Sequence, residues 1–83
     1  MIVPKDDEMY GLVISEHYGR RYDVLCADGT TRNCNKRTKV PKMFPGESVV
    51  IVEPGLQKHK GRICYRYNKF QSSNLKMQIF GDI

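Results

Sequence analysis

Apolar and polar positions alternate along this chain in short runs, and the runs are of strand length. Tyr10–His17 is rich in residues that favour extended backbone, among them Tyr10, Val13 and Ile14. Tyr18-Gly19-Arg20 reads as a turn. Arg21–Ala27 alternates, with Tyr22, Val24 and Cys26 on one face and Asp23, Leu25 and Ala27 on the other, the period of a half-buried strand. Asp28-Gly29 follows at once and predicts a two-residue hairpin turn, because glycine tolerates the positive φ that such turns demand. Thr30–Asn35 returns as a third strand. Val49–Val52 is continuously apolar, which predicts burial on both faces, and Pro54-Gly55 ends it. Arg62–Tyr67 alternates again, setting Ile63, Tyr65 and Tyr67 against Arg62, Cys64 and Arg66.

Two stretches do not follow this pattern. Lys36–Phe44 has no alternation and contains Pro41, which predicts a short helix or ordered loop between the third and fourth strands. Residues 70–83 predict a linker and a short tail, strand-like or helical, packed on the body. Five short strands with an irregular segment after the third are the layout of an all-β, five-stranded OB-fold barrel. Closing the sheet removes its exposed edges. An SH3-like barrel has a similar strand count, but the longer insertion after strand three favours the OB layout.

Length narrows the picture further. Eighty-three residues allow one small domain. No apolar run approaches the ~18 residues of a membrane span, and Met1–Glu8 is too short and too acidic for a targeting segment. Cys26, Cys34 and Cys64 are odd in number and widely spaced, which argues against a disulfide framework and against a zinc site. Reduced, strand-embedded thiols suit a cytosolic or nuclear protein better than a secreted one, and the expected location is cytoplasmic.

The net charge of +5 is concentrated. Residues 20–42 hold Arg20, Arg21, Arg32, Lys36, Arg37, Lys39 and Lys42 against Asp23 and Asp28, and residues 58–69 hold Lys58, Lys60, Arg62, Arg66 and Lys69 with no acid. If the fold brings these segments to one side, they form a phosphate-attracting surface; otherwise they solvate a small domain. Oligonucleotide-binding barrels combine such cations with aromatic platforms for bases. Phe44, at the end of the first basic segment, is the candidate platform, with a core plug at the barrel mouth as its alternative. Tyr18 is a second exposed candidate, whereas Tyr10, Tyr22, Tyr65 and Tyr67 suit the core. Spacing assembles no Ser–His–Asp set, no pair of catalytic carboxylates and no glycine-rich phosphate loop, so the expectation is a protein that is not an enzyme, with no cofactor and no metal.

Four of these stretches together resemble the S1-like OB domain of the translation initiation factor 1A family, which is related to bacterial initiation factor one. Tyr10-Gly11-Leu12-Val13-Ile14 is similar to the family's first strand. Leu25-Cys26-Ala27-Asp28-Gly29, followed by Arg32 and Cys34, resembles its hairpin. Arg37, Lys39 and Lys42 are similar to its basic segment, and Lys60-Gly61-Arg62-Ile63-Cys64-Tyr65-Arg66 resembles the last strand of the bacterial factor. The sequence departs from the family at Thr38, where glycine is usual, and at Pro41, where a basic residue is common. It also begins on an acidic segment where members of the family carry a long basic tail.

The resemblance implies an acidic N-terminal segment over residues 1–9, an S1-like OB domain over 10–69 and a short C-terminal extension over 70–83. It implies a factor that binds the A-site decoding-region rRNA of the small ribosomal subunit, with other initiation factors as further partners and a monomer when free. The RNA-binding residues it implies are Arg32, Lys36, Arg37, Lys39, Lys42, Phe44, Arg62 and Arg66. A general single-stranded RNA- or DNA-binding protein, or an adaptor acting outside translation initiation, is the alternative on the same barrel.

Overall fold

The computed structural model describes residues 1–18 and 20–81; Gly19, Asp82 and Ile83 lie outside the described residues. Five strands form: β1 (Met9–His17), β2 (Arg21–Cys26), β3 (Thr31–Lys36), β4 (Val49–Pro54) and β5 (Lys60–Arg66). They close into a barrel in the order β1-β2-β3-β5-β4. β3 and β5 pair in parallel and every other pairing is antiparallel. This is the all-β, OB-like architecture expected from the strand pattern.

The continuous apolar run of β4 is explained by two cores. Val50 and Val52 face the barrel interior with Val13, Tyr22, Val24, Cys34 and Ile63. Val49 and Ile51 face outward into a second cluster with Leu12, Tyr67 and Leu75. That outer cluster is covered by helix α1 (Lys69–Leu75) and a π-helical turn over Lys76–Phe80, so the expected tail is helical. Asn68 starts the helix. Its Oδ1 accepts from the Gln71 amide at 2.8 Å, while the Asn68 amide donates to Gln71 Oε1 at 3.2 Å, a reciprocal cap. Ser72 ties the helix to the barrel: its Oγ accepts from the Val49 amide at 3.0 Å and donates to the Tyr67 carbonyl at 3.2 Å.

Two local expectations are corrected. The hairpin between β2 and β3 has a three-residue loop, Ala27-Asp28-Gly29. The Gly29 amide donates to the Cys26 carbonyl, and the Cys26 amide donates to the Thr30 carbonyl, both at 2.9 Å. Gly29 takes φ 86°, the left-handed conformation that closes such a loop. The alternation of β5 is broken by a bulge. Val52 faces Ile63 and Ile51 faces Tyr65, leaving Cys64 with no opposite residue. Ile63 therefore enters the barrel, while Tyr65 and Tyr67 join the outer cluster. A second bulge falls between Val13 and Ser15 of β1 and leaves Ile14 exposed. The expected Tyr18-Gly19-Arg20 turn includes Gly19, outside the described residues; Tyr18 itself is fully exposed at φ 56°.

Candidate nucleic-acid interface

The segment between β3 and β4 is an ordered loop, pinned from inside. Val40 and Met43 project into the barrel and are buried with its core. Anchoring at these two points leaves Arg37, Thr38, Lys39, Pro41, Lys42 and Phe44 exposed on the outside. The Arg37 amide donates to the Ile63 carbonyl and the Val40 amide to the Arg37 carbonyl, both at 3.0 Å. Lys36 Nζ reaches the Val40 carbonyl at 2.7 Å, and Arg66 Nη1 reaches the Lys42 carbonyl at 2.8 Å. Two cations thus brace the loop through its own carbonyls.

The parallel pairing of β3 with β5 sets Asn35 opposite Arg62 and Lys36 opposite Ile63. It brings the two basic stretches, distant in sequence, to one side. Lys36, Arg37, Lys39, Arg62 and Arg66 line a hollow of about 850 Å³ with Tyr65 and Cys64. Arg66 also lines a neighbouring hollow of about 580 Å³, between the loop and α1, with Phe44, Lys69, Ser73 and Lys76. Phe44 is 52% exposed, so it is not the plug at the barrel mouth; its neighbour Met43 fills that place. The Phe44 backbone is nonetheless fixed, its amide donating to Ser48 Oγ at 2.9 Å and its carbonyl accepting from the Glu47 and Ser48 amides at 3.0 Å.

Arg32 does not join this group. It is buried, and its two terminal nitrogens donate to the two carboxylate oxygens of Asp28 at 3.0 and 2.9 Å. Arg62 lies on the hollow but its Nη2 donates to Glu53 Oε1 at 2.7 Å, which holds the Glu53 carboxyl below the usual range. Lys69 and Lys76 were not among the residues expected from sequence. Their spacing of seven places both on one side of a helix, a signal that can be read only once residues 70–83 are known to be helical.

Ser15, His17 and Asp23 do come together on β1 and β2, contrary to the expectation from spacing. Ser15 Oγ donates to Asp23 Oδ2 at 2.9 Å, and His17 Nε2 lies 2.7 Å from the same oxygen. Both groups meet one carboxylate oxygen, whereas a relay needs the imidazole between the hydroxyl and the carboxylate. The interaction with His17 is the main reason the Asp23 carboxyl lies below its ordinary range. Among the described residues, Glu8, Glu53 and Cys64 bring donor atoms within 4.8 Å of one another. Glu53 is already engaged by the Arg62 guanidinium, and burial raises the Cys64 thiol, both unfavourable to a bound cation. Among the described residues no helix is long and apolar enough to cross a membrane.

Comparison with known proteins gives the geometry a context. No family model matches the chain. Translation initiation factor 1A of Picrophilus torridus is 38% identical over 74 residues, covering 86% of this chain and 68% of that protein. Translation initiation factor 1A 1 of Haloquadratum walsbyi is 34% identical over 77 residues, covering 89% and 80% respectively. The factor of Thermoplasma acidophilum is 36% identical over 74 residues, covering 86% of this chain and 62% of its own length. Sequence identity across most of the chain, carried on a five-stranded OB-like barrel, shows that this protein belongs to the translation initiation factor 1A family.

Proposed function

We propose that this chain acts in translation initiation by binding the A-site decoding-region rRNA of the small ribosomal subunit, as a monomer when free, in the cytoplasm, alongside other initiation factors. The observation that carries the reading is the juxtaposition of the β3–β4 loop and β5. Five cations surround one hollow, and Phe44 stands beside a second hollow that shares Arg66. Arg37, Lys39 and Lys42 screen phosphates from the exposed loop. Arg62 and Arg66 extend the positive surface along β5, and Phe44 offers a face to a base. Lys36 and Arg66 also brace the loop from beneath, so phosphate binding and loop geometry are coupled. Arg32, closed against Asp28 in the β2–β3 hairpin, makes no phosphate contact.

The test is co-sedimentation with purified small subunits over a range of salt, with and without competing single-stranded RNA. The reading expects saturable binding that the competitor does not displace at equal concentration. Binding to short RNA as tight as to subunits would instead make the chain a general single-strand binder.

A further inference from the structure

Arg62 stands apart from the other cations of the hollow between the β3–β4 loop and β5. Lys36 and Arg66 donate to carbonyls of the loop, neutral partners that leave their charge in place, and Arg37 and Lys39 are exposed. Among the described residues, Arg62 is the one of these five whose charge is met by a carboxylate. The antiparallel register sets Glu53 of β4 directly opposite Arg62 of β5, and Arg62 Nη2 donates to Glu53 Oε1 at 2.7 Å. Arg37, also on the hollow, adds to the field that keeps Glu53 charged. An acid therefore sits where a phosphate oxygen would meet this guanidinium.

The N-terminal segment sets a second carboxylate behind the first. Glu8 is fixed by a turn in which its amide donates to the Lys5 carbonyl at 3.0 Å and its Oε1 accepts from the Lys5 amide at 2.9 Å. Nearer the terminus, the Ile2 carbonyl accepts from Tyr67 Oη at 2.5 Å, so tertiary structure holds the segment against the barrel. Glu8 thereby brings a carboxylate oxygen within 4.8 Å of one from Glu53 and of Cys64 Sγ, and Cys64 lines the hollow. Two carboxylates this close repel one another. A phosphate that takes Arg62 must break its ion pair and also leave Glu53 beside Glu8 without that cation. We infer that Glu53, backed by Glu8, occupies Arg62 as an internal competitor for phosphate and so discriminates against unstructured RNA strands, which present no fixed array of phosphates to displace it. This rests on the RNA reading of the hollow and assigns its selectivity to two acids that the cation pattern alone does not reveal.

The experiment measures binding of the full chain to fluorescent oligouridylate by anisotropy at several salt concentrations, beside co-sedimentation with small subunits. Glu53→Gln is expected to bind oligouridylate about fivefold more tightly at about 0.1 M salt, with a logarithmic salt slope steeper by about 0.7, the value of one added phosphate contact. Glu8→Gln is expected to tighten binding by about twofold. Glu16→Gln removes the same charge from a residue that lines neither hollow and is expected to leave the slope unchanged. Adding Arg62→Ala to Glu53→Gln should return the slope to that of the unaltered chain, whereas Arg62→Ala alone should not change it. An unaltered slope in Glu53→Gln, an equal rise in Glu16→Gln, or a fall of about 0.7 in Arg62→Ala alone overturns the inference. So does a failure of Glu53→Gln to bind oligouridylate at all. Any of these with subunit binding intact leaves the RNA reading standing. Absence of subunit binding in the unaltered chain, with the steeper slope in Glu53→Gln still seen, counts only against the ribosomal reading.

Discussion

Arg32 and Asp28 form a two-toothed ion pair between β3 and the loop that precedes it, with the guanidinium closed off from solvent and the carboxylate at its edge. Asp28 also accepts from the Thr30 amide at 3.0 Å, so one carboxylate holds both the loop and the strand that follows it. The Asp28 carboxyl is lowered, chiefly by its hydrogen bonds from Arg32. A carboxyl lowered in the folded protein contributes stability that is full above its unfolded value of about 3.9 and is lost as pH falls through the folded value. Arg32→Met should cost about 1–3 kcal/mol in chemical unfolding, since it takes the charged partner from a partly exposed carboxylate. Asp28→Asn should flatten the loss of stability on acidification below about pH 4. An unaltered acid profile in Asp28→Asn would contradict the assignment.

Met43 and Phe44 are adjacent but have opposite surroundings, and their substitutions should separate accordingly. Met43→Ala empties a fully buried site in the barrel mouth and should cost about 2–5 kcal/mol of stability. Phe44→Ala should leave the melting curve nearly unchanged and weaken binding to small subunits by about 1–3 kcal/mol. Thermal denaturation and subunit titration of the two variants together check the contrast.

Arg37 and Lys39 are exposed on the loop and line the larger hollow. Replacing each with alanine should reduce the salt dependence of RNA binding by about 0.7–0.9 in logarithmic slope per lost phosphate contact. Arg32→Met, by contrast, should leave the slope of a correctly folded protein unchanged. Titrations at several salt concentrations decide between a phosphate contact and a structural role for each residue.

Ser72 carries the junction between helix and barrel. Ser72→Ala would strand the buried Val49 amide and should cost about 1–3 kcal/mol. Hydrogen exchange should report the loss first at Val49 and at the amides of α1. Unchanged protection at Val49 would show that this bond contributes little.

The strands and the closed barrel follow from local residue pattern alone. Period-2 alternation in β2 and the doubly apolar run of β4 depend only on which side chains must leave water, and both are written residue by residue. The basic stretches and the family resemblance were legible for the same reason, being local in the chain. Which of those residues are available depends on how the barrel closes. Arg32 and Arg37 look alike in sequence, yet one is enclosed against Asp28 and the other stands in solvent. Met43 and Phe44 are neighbours, yet the barrel mouth takes the first and leaves the second outside. The bulge at Cys64 reassigned Tyr65 and Tyr67 to an outer core, and the parallel pairing of β3 with β5 joined cations that lie far apart along the chain. These outcomes depend on closure of the barrel, where long-range register and a limited interior volume select among side chains that local pattern treats as equivalent.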